Sequence, residues 1–127
     1  MIDLYLERGE MFALYDRNIL RAICVVTDEG DRTVELKNIA TVPEHQKQGY
    51  GKRLIRFISE HYAGKYNTLL VGTGESPLTV PFYEHNGFRY SHRIKNFFTD
   101  NYDHPIYEDG KQLVDMVYLR KELSKSK

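Results

Sequence analysis

A polar turn that leads into a helix carries the residues of this 127-residue chain that are suited to bind a phosphate. An apolar, strand-forming run ends at Val42, and Gly49 and Gly51 then open an amphipathic pattern. Glycine has no side chain to keep a phosphate from the backbone, and helix N-termini attract anions. The sequence therefore predicts an anion site here. Its spacing excludes the commoner phosphate loops, since the third glycine of a Gly-x-Gly-x-x-Gly turn would fall on Leu54.

Two motifs resemble those of the Gcn5-related N-acetyltransferase (GNAT) superfamily. Gln46-x-x-Gly49-x-Gly51 is similar to motif A of that superfamily, Gln/Arg-x-x-Gly-x-Gly/Ala. The stretch Val80–Phe88 is similar to motif B, which ends in Tyr-Glu-x-x-Gly-Phe. The two motifs keep the superfamily's order and are separated by one predicted strand. The chain is thus identified as a small bacterial-type member, with the motif resemblance spanning residues 33–92.

The resemblance implies an α/β fold, the GNAT acyl-CoA N-acyltransferase fold, in which helices flank a mixed central β-sheet. We expect one N-acetyltransferase domain over residues 1–127. The strand and helix that begin the superfamily's core are expected to be missing. A missing edge strand leaves either an exposed sheet edge or a homodimer interface.

Hydrophobic periodicity predicts the elements of the N-terminal part of the chain. A short helix, with a strand as the alternative, precedes Gly9. A hairpin turns at residues 16–18, where Asp-Arg-Asn separates two apolar runs. A second turn is expected at residues 28–31 and a long strand over residues 33–42.

The C-terminal part is predicted to hold two helices, three strands and a long loop. Ser76 is expected to begin the second helix, which Pro81 should kink. Residues 95–112 form a long connection rich in aromatic and acidic side chains. The first helix should span Gly49–Tyr62 and present one apolar face, made of Tyr50, Leu54, Ile55, Ile58 and Tyr62.

Composition excludes several classes of function. Lysine and arginine number 18 and aspartate and glutamate 18, so no net charge attracts nucleic acid or an anionic membrane. No apolar run approaches the ~20 residues that a membrane span requires. The single cysteine, Cys24, fits a reducing compartment, so we expect a cytoplasmic protein with Cys24 in the core. The five histidines lack metal-ligand spacing, and no metal site is predicted.

By resemblance, acetyl-CoA is the cosubstrate and lies along the strand and turn of motif A. The amide of Ile39 or Ala40 is expected to bind the thioester carbonyl, where negative charge develops during transfer. Lys47 stands where many relatives have glycine. For Ser76, a plain helix N-cap is the alternative to cofactor contact. The expected cofactor-binding residues are Ile39, Ala40, Thr41, Val42, Gln46, Lys47, Gln48, Gly49, Tyr50, Gly51, Lys52 and Ser76.

Motif B places Tyr83 where the superfamily usually has the acid that protonates the departing thiolate. A phenol, with an ordinary pKa of about 10, can donate a proton and still be protonated at neutral pH. The alternative is that Tyr83 only packs in the core.

Glu35 is the candidate base. It lies where the histone-acetylating branch of the superfamily has its catalytic glutamate, and a period of two places it on one strand face with Lys37, Ile39 and Thr41. A carboxylate in a half-buried cleft could deprotonate an ammonium group. A salt bridge to Lys37 is the alternative.

Together these residues predict transfer of acetyl from acetyl-CoA to a primary amine, by direct attack within a ternary complex. The acceptor is a small molecule or a peptide of unknown identity. Residues 95–112 are expected either to contact that acceptor or to form a structured cover. The alternative function is a non-catalytic CoA-binding module with a regulatory or partner role.

Overall fold

The protein is described here from a computed structural model, over residues 2–6 (backbone only), 9–41 and 49–123. The chain forms two compact units, one comprising Met1–Leu69 with Glu122–Lys127 and the other Leu70–Lys121. In chain order the elements are β1 Ile2–Leu6, β2 Gly9–Asp16, β3 Ile19–Gly30, β4 Thr33–Thr41, α1 Tyr50–Tyr62, β5 Thr68–Gly74, α2 Val80–His85, β6 Arg89–Ile94, α3 Phe97–Asn101, β7 Ile106–Glu108, β8 Lys111–Leu113 and β9 Met116–Glu122.

Tight turns fold the first unit into an antiparallel ribbon with the strand order β1-β2-β3-β4. The predicted hairpin is confirmed, since Arg17 and Asn18 form its turn with φ of 55° and 63°. The next turn lies at Asp31 and Arg32, with φ of 52° and 57°. The prediction of a turn at residues 28–31 is therefore wrong, because β3 continues to Gly30 and pairs there with Thr33.

The N-terminal segment is a strand, so the predicted short helix is wrong and its alternative is correct. Strand β1 pairs antiparallel with β2 from Ile2 opposite Ala13 to Leu6 opposite Gly9. Five residues are too few for a helix to be stable on its own, whereas an adjacent strand satisfies their backbone groups. The expected absence of the superfamily's first strand and helix stays a prediction.

One face of the ribbon packs against α1 to form the core of the first unit. All five predicted residues of the apolar helix face are buried. Phe12 of β2 contacts the rings of Phe57 and Tyr62 edge-on, at centroid distances of 5.9 and 6.0 Å. The helix is also fixed at its C-terminal end, where the Tyr62 hydroxyl donates to Glu10 Oε1 at 2.6 Å. The period-3.6 pattern therefore predicted the buried face correctly.

Strands of the second unit lie in the order β5-β9-β6, with β6 and β9 antiparallel. Helix α2 begins at Val80 rather than after Ser76, which corrects the prediction. Pro81 therefore lies in the first helical turn, where backbone N–H groups have no intrahelical acceptor. Its lack of an N–H consequently breaks no hydrogen bond of the helix. The expected proline kink is wrong for the same reason.

The long connection predicted over residues 95–112 contains regular structure. Helix α3 is followed by a β7–β8 hairpin, whose turn at Asp109 and Gly110 has φ of 50° and 76°. The Phe98 N–H donates to the Val114 carbonyl at 2.9 Å and so ties the helix to the far end of the connection. We call residues 96–115 the aromatic segment.

Candidate active site

A β-bulge in β4 determines which residues share a face with Glu35. Leu36 pairs with Val26 and Asn38 pairs with Val25, so Lys37 is an extra residue without a cross-strand partner in this register. The alternation of side chains changes there, and Lys37 and Asn38 are both exposed.

The predicted common face of Glu35, Lys37, Ile39 and Thr41 is therefore wrong. Beyond the bulge, Ile39 lies opposite Cys24, on the face that packs against α1. Glu35 lies opposite Thr27, on the other face of the ribbon. A bulge cannot be read from a strand's period of two, which is why the sequence did not indicate it.

Glu35 is a largely buried carboxylate with a charged partner. Only 7% of the residue is exposed, and its Oε2 lies 3.3 Å from Lys37 Nζ. The salt bridge that was the alternative interpretation is thus present. It leaves the carboxylate with further acceptor sites, because an ionised carboxylate has about four lone-pair positions.

The C-terminal half of β4 presents the backbone expected to bind the cofactor. Ile39, Ala40 and Thr41 pair with Cys24, Ile23 and Ala22 of β3. Successive N–H groups of a strand point to opposite sides. Only one of the Ile39 and Ala40 amides therefore points away from β3. The predicted residues Val42, Gln46, Lys47 and Gln48 lie outside the described residues.

Gly49 starts α1 in a conformation that suits an anion site. Its φ of 84° is left-handed, and an added Cβ would meet no atom of the described residues within 4 Å. Its carbonyl accepts from the Arg53 N–H at 3.0 Å. First-turn amides, including those of Gly51 and Lys52, have no carbonyl acceptor within a helix. No side chain caps this N-terminus, and its first turn holds no acidic residue.

A cluster around Tyr50, which the sequence analysis missed, fixes the start of α1. The Tyr50 hydroxyl donates to Asp16 Oδ2 at 2.9 Å, and Arg53 lies 3.9 Å from the same oxygen. The guanidinium groups of Arg21 and Arg53 lie 5.4 and 5.5 Å from the ring centroid, within cation–π range. These positions are far apart in the sequence and form no motif. The contacts of Tyr50 with Asp16 and Arg21 can therefore be recognised only from the structure, in which β2 and β3 are paired.

Cys24 is a core residue, as predicted. It is buried in β3, and burial raises the pKa of its thiol to about 12. The Phe12 backbone N–H partly opposes this shift. Such a thiol is protonated at neutral pH and is a poor nucleophile.

Tyr83 lies in α2 of the second unit and is packed among aromatic rings. Only 7% of the residue is exposed, and its ring contacts Phe82 and Phe88 edge-on at 5.2 and 5.5 Å. Its carbonyl accepts from the Phe88 N–H at 3.1 Å, which closes the helix. The position of the ring is therefore fixed from both sides, and the acid role of Tyr83 stays a prediction.

Ser76 is buried between β5 and α2 but does not cap the helix. Its Oγ accepts from the Leu78 N–H at 3.0 Å, and its carbonyl accepts from the Val80 N–H at 3.2 Å. The N-cap of α2 is Thr79. The N-cap alternative is therefore wrong, because Ser76 forms a local serine turn ahead of the helix. Its hydroxyl retains one proton to donate.

An arginine-centred cluster holds the aromatic segment at both of its ends. Arg93 of β6 lies 3.3 Å from Glu75 Oε1 and 2.9 Å from Asp115 Oδ2. Hydrogen bonds to Tyr90, Asp115 and Glu75 raise the pKa of Arg93. The Asn96 N–H donates to Asp115 at 2.9 Å, and this bond, followed by that from Arg93, lowers the pKa of Asp115. Glu75 is thus part of an ion-pair network.

The described residues include neither a membrane-spanning helix nor a group of metal-binding side chains. None of their helices has the length and apolar character to cross a membrane. None of their histidine, cysteine and carboxylate side chains form a group of three that could bind a metal ion.

The predicted site residues are distributed over both units. Glu35, Ile39, Ala40, Thr41, Gly49, Tyr50, Gly51 and Lys52 belong to the first unit, and Ser76 and Tyr83 to the second. The first unit therefore brings together the strand backbone and the glycine that opens α1. The second unit holds the packed tyrosine of motif B.

Comparison with known proteins identifies the family. Residues 7–90 match the family model described as an acetyltransferase (GNAT) domain. An uncharacterized N-acetyltransferase of Bacillus subtilis strain 168, YvbK, is 36% identical over 126 residues, which are 97% of this chain and 81% of that protein.

Solved structures of similar proteins support the same conclusion. A GNAT family acetyltransferase from Elizabethkingia anophelis with acetyl-CoA bound is 36% identical, with a TM-score of 0.85 over 94% of this chain and 79% of that one. A Bacillus subtilis acetyltransferase in complex with CoA is also 36% identical, with a TM-score of 0.88 over 94% and 80%. The predicted α/β class and GNAT fold are confirmed. The chain belongs to the GNAT acetyltransferase family.

Proposed function

We propose that this protein binds acetyl-CoA and transfers its acetyl group to a primary amine. The main support is the start of α1, because Gly49 opens the helix in a left-handed conformation, and among the described residues no atom lies within 4 Å of an added Cβ and no side chain caps the helix. Such a turn offers unpaired amides to a pyrophosphate. Acetyl-CoA and CoA are bound by two relatives that share 36% of their residues with this chain.

The strand before this turn would hold the rest of the cofactor. Ile39, Ala40 and Thr41 present backbone N–H and carbonyl groups with which the extended amide arm of CoA can pair as an added strand. Whichever of the Ile39 and Ala40 amides points away from β3 would donate to the thioester oxygen. A donor at that position stabilises the charge that develops on the tetrahedral intermediate.

The reaction requires little chemistry from the protein beyond positioning and two proton transfers. The neutral amine attacks the thioester carbon, so that a C–N bond forms and the C–S bond breaks. Tyr83 donates its phenolic proton to the departing thiolate, which gives free CoA. The acetylated nitrogen then loses its extra proton, and this proton restores the phenol through solvent.

Glu35 would remove the proton from the incoming ammonium group before attack. Its carboxylate is nearly inaccessible to bulk water and lies 3.3 Å from Lys37 Nζ. A charged carboxylate can accept a proton directly or through one water molecule.

A CoA-binding module without turnover is the second candidate. It is supported by two observations: Glu35 already has Lys37 as an ion-pair partner, and Tyr83 packs between Phe82 and Phe88. A module of this kind would bind acetyl-CoA with the same residues and release no thiol in the presence of any amine.

Substitution of Tyr83 tests the acid role. Phenylalanine keeps the ring contacts with Phe82 and Phe88, so the Tyr83→Phe variant should fold normally. We expect kcat for thiol release to fall about tenfold or more, with acetyl-CoA affinity within about twofold of wild type. Tyr15→Phe, on a half-exposed ring of β2, serves as the control and should leave both quantities unchanged. An unaltered kcat in Tyr83→Phe would rule out the acid role.

Substitutions of Glu35 and Lys37 separate the base from the salt bridge. As a base, Glu35 should be needed for turnover, so Glu35→Gln should lower kcat/KM. Lys37→Met breaks the same ion pair but leaves the carboxylate, and should retain most of the activity. Equal losses in both variants would show that only the ion pair matters.

A further inference from the structure

Two arginines of the first unit are held at the start of α1 by the ring of Tyr50. Their guanidinium carbons lie 5.4 Å (Arg21) and 5.5 Å (Arg53) from the ring centroid. The ring is buried, and its hydroxyl is bonded to Asp16 Oδ2. Because a fixed ring supports both side chains, their charged groups are partly ordered before a ligand binds, which lowers the entropic cost of binding.

Most hydrogen-bond donors of this arginine pair are unused. A guanidinium carries several N–H donors in a rigid fork. Arg21 donates through Nε to the Asp16 carbonyl at 3.3 Å. Arg53 Nη1 lies 3.9 Å from Asp16 Oδ2, which is within ion-pair range but too long for a hydrogen bond. In the described parts of the chain neither arginine has a further acceptor, so each retains donors with which to bind an anion.

The balance of charge around Tyr50 also favours an anion. Among the described residues, Asp16 is the one carboxylate in contact with the arginine pair. The first two turns of α1 expose three cations, Lys52, Arg53 and Arg56, and its first turn has no acidic residue. The helix dipole is positive at this end, so it disfavours these cations and stabilises a nearby anion. This distribution of charge suits the binding of an anion rather than the stability of the free helix.

CoA, the product of the proposed reaction, carries a second anion close to its pyrophosphate. This anion is the phosphate on the 3′-hydroxyl of the ribose, only a few bonds away, and its charge at neutral pH is about −1.5 to −2. Arg53 lies one helical turn after the proposed pyrophosphate site, because its N–H donates to the Gly49 carbonyl at 3.0 Å. The fork of a guanidinium matches the geometry of phosphate oxygens.

We propose that Arg21 and Arg53 bind the 3′-phosphate of CoA and make the protein selective for CoA over its 3′-dephospho form. Tyr50 orders the two guanidinium groups, and Asp16 holds Tyr50 in place. The inference rests on the proposed binding of acetyl-CoA at Gly49 but goes beyond it, because a turn that binds the pyrophosphate alone does not distinguish the two forms.

Titration calorimetry of the whole chain with CoA and with 3′-dephospho-CoA measures this selectivity. The two ligands differ only in the 3′-phosphate, so the wild-type comparison needs no variant. We expect wild type to bind CoA about tenfold or more tightly than the dephospho form. Arg21→Gln and Arg53→Gln should each lower that ratio about threefold or more, with affinity for the dephospho form within about twofold of wild type.

Arg56→Gln is the matched control, since it removes an equal charge three residues further along α1. Arg56 has no contact with Tyr50 among the described residues, so the ratio should stay within about twofold of wild type. Three results would overturn the proposal: equal wild-type affinity for the two ligands, an unchanged ratio in both Arg21→Gln and Arg53→Gln, or equal losses of the ratio in Arg53→Gln and Arg56→Gln. The last result would mean that only the general charge of α1 attracts the phosphate.

The same titrations distinguish this proposal from the proposed function. Equal, saturable binding of CoA and 3′-dephospho-CoA would overturn recognition of the 3′-phosphate but leave cofactor binding intact. Failure of both ligands to bind would contradict the proposed function and this inference together. A preference for CoA without thiol release in the presence of amines would contradict acetyl transfer and still support the arginine pair as the phosphate site.

Discussion

Substitution of Gly49 by alanine would test whether the opening turn of α1 binds the cofactor. Alanine in a left-handed conformation costs about 1–2 kcal/mol relative to glycine. The new methyl group meets no atom of the described residues within 4 Å, so no clash with them adds to this cost. We therefore expect Gly49→Ala to lower the free energy of unfolding, measured with urea, by about 1–2 kcal/mol.

Gly30 provides a closely matched control in the same unit. Its φ is 85°, against 84° for Gly49, and an added Cβ there also meets no atom within 4 Å. Gly30 lies at the opposite end of β4 from Thr41, about 25 Å away at the rise of a strand. Gly30→Ala should therefore have the same effect on stability but none on a ligand bound at the start of α1.

Titration calorimetry with acetyl-CoA separates the two effects. Gly49→Ala should reduce affinity about tenfold or more, which corresponds to about 1.4 kcal/mol of binding free energy. Gly30→Ala should bind as wild type does. Circular dichroism of both variants checks that α1 is still formed. Wild-type affinity in Gly49→Ala, or an equal loss in Gly30→Ala, would refute the assignment of the phosphate site to this turn.

Three further predictions concern stability and reactivity. The pKa of Cys24 is raised to about 12 from the 9.0 of an ordinary thiol, so the native state should lose stability above pH 9, by up to about 1.4 kcal/mol per pH unit. In the Cys24→Ala variant, the free energy of unfolding should fall less steeply with pH. The native thiol should also react about a thousandfold more slowly than a free thiol with a disulfide reagent at pH 8. Tyr50→Phe should cost about 1 kcal/mol in urea unfolding through loss of the bond to Asp16; no change would remove this contact as an anchor of α1. Because the pKa of Asp115 is lowered, its bond to the Asn96 N–H should persist above the ordinary carboxyl pKa and be lost as pH falls through the lowered value. Asp115→Asn should accordingly increase amide exchange in α3 at neutral pH.

The sequence predicted the parts of the fold that depend on local periodicity. The buried face of α1 from Tyr50 to Tyr62 follows a 3.6-residue pattern, and the hairpin at Arg17 and Asn18 follows from turn chemistry. Both kinds of signal lie within a few residues of chain.

Features that depend on pairing between distant segments were not predictable in the same way. Lys37 is an extra residue in β4 that shifts its register with β3 by one position. As a result, Ile39 lies on the opposite face of the strand from the one predicted. The first strand was predicted as a helix, with a strand as the alternative, because a segment of five residues is too short to show a clear period before β2 pairs with it. The delayed start of α2 results from the serine turn at Ser76, which competes locally with a helix.

The site shows the same division between local and distant information. Tyr83 and Gly49 lie in short motifs that a single sequence reveals. By contrast, the contact of Tyr50 with Asp16 connects positions 34 residues apart, and no local pattern marks it. The role of Glu35 depends on which side of β4 it occupies, which the bulge determines.

The central claim, acetyl transfer to an amine, is tested most directly by a thiol-release assay with acetyl-CoA over a panel of primary amines. We expect at least one amine to release CoA above the rate without amine, with one acetylated product per CoA by mass spectrometry. Saturable acetyl-CoA binding without thiol release or acetylated product for any amine in the panel would contradict it and favour a CoA-binding module.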